Sequence, residues 1–105
     1  MKTKQFGLEA AVLTSLQNIF EKFENIEKVI VYGSRAKGNF RYNSDIDLSI
    51  IGEISYDDLL KIELLIDELL LPYKVDLSVF NNINNSELKA HIERVGIVLY
   101  KKNNK

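Results

Sequence analysis

Residues 28–51 read KVIVYGSRAKGNFRYNSDIDLSII, and the pattern within them decides the fold. Val29 to Tyr32 is a continuous β-branched and aromatic run, the mark of a buried strand, and it stops at Gly33. A second strand is predicted over 45–51, with Ile46, Leu48 and Ile50 on one face and Asp45, Asp47 and Ser49 on the other. Only about ten residues join the two runs, fewer than a parallel crossover needs, so the strands are predicted to be antiparallel. Within that connection Ser34 to Lys37 can close one helical turn, Gly38 can end it in the left-handed conformation, and 39–44 is a polar loop. The end of the first strand then lies beside the start of the second, with Gly33-Ser34 facing Asp45 and Asp47.

The chemistry of that face is specific. Two carboxylates on one strand face repel and raise each other's pKa, and a fold that gathers them generally offsets the cost with a cation. Glycine lets a phosphate approach the backbone, the Ser34 hydroxyl can donate to it, and the following turn presents N–H groups. Arg35 and Lys37 add positive charge nearby. The stretch therefore reads as a site for a metal ion and a phosphate.

Upstream, Leu8, Val12, Leu16, Ile19 and Phe23 recur at the helical period, predicting an amphipathic helix over 8–23 that Asn25 can terminate. Downstream, Gly52 closes the second strand and a long helix is predicted over 56–70. Leu59, Ile62, Ile66, Leu69 and Leu70 form its wide apolar stripe, and Leu60 and Leu64 form a second strip that either packs on the first helix or meets another chain. Pro72 is expected to end this helix, and KVDLSVF at 74–80 predicts a third strand. The segment Asp76-Leu77-Ser78-Val79 echoes Asp47-Leu48-Ser49-Ile50. Two strands joined through a helix are usually parallel, so Asp76 is expected at the same end of the sheet as Asp47, adding a third carboxylate. Three aspartates holding Mg²⁺ would equip the site for phosphoryl or nucleotidyl transfer. After a loop at 81–85, Ser86 is expected to cap a final helix through Val95, followed by a short edge strand at 97–100 and a frayed KKNNK tail. His91, on that helix, reads as a surface or satisfied residue.

Length and composition bound the alternatives. A chain of 105 residues is expected to form one domain, 1–105, too small to enclose a large substrate unaided. Its net charge of −1 lacks the basic footprint of a duplex nucleic-acid binder. With no cysteine and one histidine, a metal would have to be held by oxygen. No stretch approaches the roughly 18 apolar residues of a membrane span, and MKTKQFGLEA has no continuous apolar run, so the expected setting is the cytoplasm.

Gly33-Ser34-Arg35-Ala36-Lys37-Gly38, then Ser44-Asp45-Ile46-Asp47-Leu48 and the later Asp76, together resemble the DNA polymerase β-like nucleotidyltransferase superfamily, over nearly the whole chain in element order. Within it the chain resembles the minimal nucleotidyltransferase (MNT) domain, the antitoxin partner of HEPN-domain toxins. That resemblance implies an α/β (α+β) fold with a small mixed sheet flanked by helices. It also implies that Gly33 and Ser34 bind the triphosphate, that Asp45 and Asp47 bind the metals, and that Asp76 is the third carboxylate, on the base side. Lys37 stands where arginine is also frequent, which keeps the charge and loses bidentate geometry. The activity implied is transfer of AMP from MgATP to a tyrosine of a HEPN-type helical partner in a hetero-oligomer. Two other readings use the same residues: a contact-only antitoxin, and an enzyme with a small-molecule acceptor. Relatives of the last kind generally carry an additional helical domain.

Overall fold

Strand β1 (Ile26–Tyr32) and strand β2 (Ile46–Gly52) pair antiparallel, as their short connection requires, with Val31 opposite Leu48 and Tyr32 opposite Asp47. Between them helix α2 is a single turn, Ser34–Lys37, ended by Gly38 at φ 89°. Helix α3 (Tyr56–Asp67) carries the chain back across the sheet, so strand β3 (Val75–Val79) lies parallel to β2. Helix α4 (Ser86–Val95) then leads to strand β4 (Ile97–Lys101), which returns antiparallel to β1. In this computed structural model, which describes residues 6–103, the sheet order is β3-β2-β1-β4, a mixed sheet with β1 and β2 at its centre.

The echoed Asp-Leu-Ser segments form a ladder: Asp47 pairs with Asp76, Leu48 with Leu77 and Ser49 with Ser78. Paired residues of neighbouring strands point to the same face, so the period-2 pattern of both strands is used in phase. On one face Val29, Val31, Ile46, Leu48 and Ile50 are buried against helix α1 (Ala10–Glu21) and α3 in the main core, with Leu13, Leu16, Ile19, Phe20, Ile62 and Ile66. On the other, α4 covers only part of the sheet, where Ile92 packs with Ile30 and Tyr32. The uncovered remainder of that second face carries Asp47 and Asp76.

Several local expectations need correction. The first helix begins at Ala10, not Leu8, and ends at Glu21. Helix α3 stops at Asp67, well before Pro72; Leu70 sits in the left-handed region at φ 54° and is 87% exposed, so it leaves the apolar stripe. Leu60 and Leu64 do not pack on α1 but are exposed, as is Tyr56 one turn earlier. Asn85 rather than Ser86 caps α4, its side chain accepting from the N–H groups of Glu87 and Leu88. Asp45 lies just ahead of β2 rather than inside it. The tail is ordered further than expected: Lys101 belongs to β4 and the Lys102 N–H donates to the Glu27 carbonyl at 2.9 Å, while residues 104 and 105 lie outside the described range. No helix among the described residues is long and apolar enough to cross a membrane.

Candidate active site

Gly33 follows the last residue of β1 at φ 76° and ψ −154°, a conformation open to glycine and strained for other residues. A β-carbon built there would collide with the Asp47 carboxylate, whose Cγ lies 3.2 Å from that point. The turn and the β2 carboxylate are therefore in direct apposition, as the antiparallel pairing of Tyr32 with Asp47 demands. Ser34 opens α2 and is half-buried; the Lys37 N–H returns to the Gly33 carbonyl at 3.1 Å, which closes the turn. Lys37, the last residue of that turn, is exposed.

The carboxylates differ in setting. Asp45 is exposed ahead of β2, Asp47 is half-buried, and Asp76 is exposed on β3 directly beside Asp47. Burial first, then the charges of Asp76 and Asp45, push the Asp47 carboxyl above its ordinary range, and His91 partly offsets the rise. Among the described residues, no three acidic or imidazole side chains converge into a ready-made cage. Mg²⁺ is commonly held by one or two carboxylates together with substrate phosphates, and Asp47 with Asp76 paired beside it offers two. An all-oxygen donor set with a carboxyl under negative pressure fits such a hard cation.

Arg35, expected at the phosphate, is turned inward and only 2% exposed. Its guanidinium donates to the carbonyls of Phe6, Tyr42 and Ser44, and lies over the rings of Phe40 and Tyr73. A cation committed to three backbone carbonyls serves the scaffold of the site. Burial pushes the guanidinium below its ordinary value, and Tyr73 and then Asp45 oppose that fall.

Four residues to which the sequence reading gave no role in the site stand beside it. Tyr32 is paired with Asp47; burial pushes its hydroxyl upward, the Ser78 side chain opposes the rise, and the charges of Asp47 and Asp76 push the same way as burial. Ser49 and Ser78 stand next in the ladder, with Ser78 Oγ 3.3 Å from the Leu48 carbonyl and 3.4 Å from Ser49 Oγ. His91 meets the Tyr32 ring edge-on at 6.3 Å and acts on Asp47 electrostatically, so it belongs to the rim of the site and not to the general surface. The strand pairing already carried the signal for Tyr32, because it is the residue before Gly33. Nothing local to α4 marks His91. A cavity of about 430 Å³ lined by Gly52, Ser55, Val79 and Asn81 opens at the other end of β2 and β3, away from the carboxylates.

Comparisons with known proteins bear on the family and the fold. The family model described as "Polymerase beta, Nucleotidyltransferase" matches residues 14–105. A protein of Methanocaldococcus jannaschii, named for protein adenylyltransferase activity, is 33% identical over 82 residues, covering 71% of this chain and 79% of its own. Two solved structures share the fold. One is a toxin–antitoxin crystal structure with AMP-PNP, with a TM-score of 0.68 and 17% identity, covering 91% of this chain and 76% of its own. The other is the tri-AMPylated Shewanella oneidensis HEPN toxin in complex with MNT antitoxin, with a TM-score of 0.64 and 14% identity, covering 88% and 71%.

Proposed function

The chain belongs to the polymerase β nucleotidyltransferase family, and from that premise we propose that it transfers AMP from ATP to a tyrosine hydroxyl of a HEPN-type helical toxin, acting as that toxin's antitoxin. The observation that carries the reading is the apposition of Gly33 and Asp47, with Asp76 in register beside them. It places a phosphate-compatible backbone against two carboxylates on an open sheet face. Gly33 and Ser34 receive the triphosphate from the N–H groups and hydroxyl of the turn, and Lys37 adds charge from its exposed position. Mg²⁺ would be held by the nucleotide phosphates together with one or two at a time of the carboxylates Asp45, Asp47 and Asp76. When bound, the ion supplies charge neutralisation of the triphosphate and of the departing pyrophosphate.

In the transfer the tyrosine oxygen forms a bond to the α-phosphorus, the bond from that phosphorus to the bridging oxygen breaks, and pyrophosphate leaves. Asp76, the exposed member of the pair, takes the phenolic proton. Toxin and antitoxin form a hetero-oligomer. Its support is the pair of toxin–antitoxin structures that share the fold, one of them holding an AMPylated toxin.

The test is to incubate the protein with α-labelled ATP, Mg²⁺ and a HEPN-type toxin, and to locate the label by peptide mapping. Label on a toxin tyrosine, lost with Asp45→Ala and Asp47→Ala, is the expected result. If label never reaches the toxin while both variants still neutralise it, contact alone is the mechanism and the transfer reading fails.

A further inference from the structure

We propose that Arg35 is a positioning residue that sets the spacing between the Gly33-Ser34 turn and Asp45, and that the Phe6-Gly7 strap is a working part of the same device. The inference rests on the nucleotidyltransferase reading of the carboxylate site. Arg35 is the second residue of α2, so its backbone moves with Ser34. Its Nε and Nη2 atoms donate to the Ser44 carbonyl at 3.1 and 2.9 Å, one peptide unit from Asp45, and Nη2 also reaches the Tyr42 carbonyl at 3.0 Å. Nη1 donates to the Phe6 carbonyl at 2.7 Å. The same group lies 5.1 Å from the centroid of Phe40 and 4.8 Å from that of Tyr73. Tyr73 leads into β3, where the next carbonyl, that of Lys74, accepts from the Ile46 N–H at 2.8 Å. One planar cation thus joins the phosphate turn, the segment entering Asp45, the segment entering Asp76 and the N-terminal strap.

Guanidinium shape matters here. Its fixed fork serves several carbonyls while its flat faces stack on rings, whereas a lysine ammonium is a point charge on a flexible stem. The strap is built to meet it: Phe6 and Gly7 both have left-handed φ values, 59° and 73°. A β-carbon on Gly7 would collide with the Phe40 ring and come within 3.0 Å of Arg35 Nη1. The strap precedes residues 14–105, the part that the family model matches, so this chain uses residues outside the matched region to brace its site.

The test uses the full chain with Mn²⁺ and AMP-PNP as probes, reading nucleotide affinity by calorimetry, metal uptake by electron paramagnetic resonance and folding by circular dichroism. Arg35→Lys and Gly7→Ala are expected to weaken Mn²⁺·AMP-PNP binding at least about tenfold at temperatures where both remain folded. Ile62→Val, a core change that lowers the melting temperature without touching the site, is expected to leave affinity unchanged. The proposal is overturned if the folded variants bind within about twofold of wild type, or if Ile62→Val weakens binding as much as they do. Should Arg35→Lys fail to fold, Gly7→Ala, which keeps the guanidinium, decides between the same two outcomes. Failure of the wild-type chain to bind the probe would instead overturn the nucleotidyltransferase reading itself.

Discussion

The Asp47 carboxylate fills the space that a β-carbon on Gly33 would need. Gly33→Ala therefore combines a left-handed backbone penalty with a collision against the residue most central to the site. A backbone at φ 76° and ψ −154° is essentially glycine's alone and costs another residue about 1–3 kcal/mol. The expected outcome is a lower melting temperature together with loss of AMP-PNP binding, because relief of the clash must move Asp47. Calorimetric titration beside a thermal melt checks both halves.

Asp47 is expected to make the unliganded protein less stable at neutral pH. Its folded-state carboxyl is raised above the ordinary 3.8 by burial and by Asp76 and Asp45. A raised carboxyl binds more protons folded than unfolded, so its contribution to stability is full below the unfolded value and is lost as pH rises through the folded one. Asp47→Asn is expected to raise the melting temperature at neutral pH while lowering AMP transfer about a hundredfold or more, and the gain should vanish below the ordinary value of 3.8. Melts of both proteins across that range, with no nucleotide present, check the sign. Adding Mg²⁺ and ATP should stabilise wild type and leave the variant unchanged.

Tyr32 supports the carboxylates without acting as one. Tyr32→Phe keeps the ring against His91 and removes only the hydroxyl. AMP transfer should fall by less than about tenfold, against a loss of about a hundredfold or more for Asp47→Asn. Equal losses in the two variants would show that the phenol contacts the reacting groups.

The two apolar strips of α3 should separate cleanly in stability. Ile62 is wholly buried and Leu64 is 62% exposed. Ile62→Ala is expected to destabilise by about 2–5 kcal/mol, and Leu64→Ala to stay within about 0.5 kcal/mol. Urea unfolding of the two variants measures the difference directly.

Much of this architecture is legible locally. The β-branched run ending at Gly33, the alternation through Asp45-Ile46-Asp47 and the repeated Asp-Leu-Ser each follow from side-chain period and turn chemistry within a few residues. So does the antiparallel pairing of β1 with β2, since a connection of about ten residues permits little else. Helix ends were less legible. Pro72 is a valid stop signal, but the chain leaves the helix earlier, through a left-handed Leu70 that propensity disfavours. Asn85 and Ser86 are both good caps by residue type, and only the backbone geometry shows which of them accepts the orphan N–H groups.

The sequence by itself determined the sheet pattern, the placement of three aspartates at one end of it, and the glycine-serine turn that faces them, because these depend on short-range periodicity. Tertiary structure alone decided what Arg35 does and which residues stand around Asp47. An arginine beside a phosphate turn has the same local appearance whether it faces a ligand or the protein interior. The choice is made by a carbonyl 29 residues earlier in the chain, at Phe6, and by the ring of Tyr73. His91 is likewise brought to the rim only when β4 returns beside β1 and lays α4 across the second face. Where distant segments converge to satisfy a buried cation or flank a carboxylate, the determining contacts are non-local, and no window of sequence contains them.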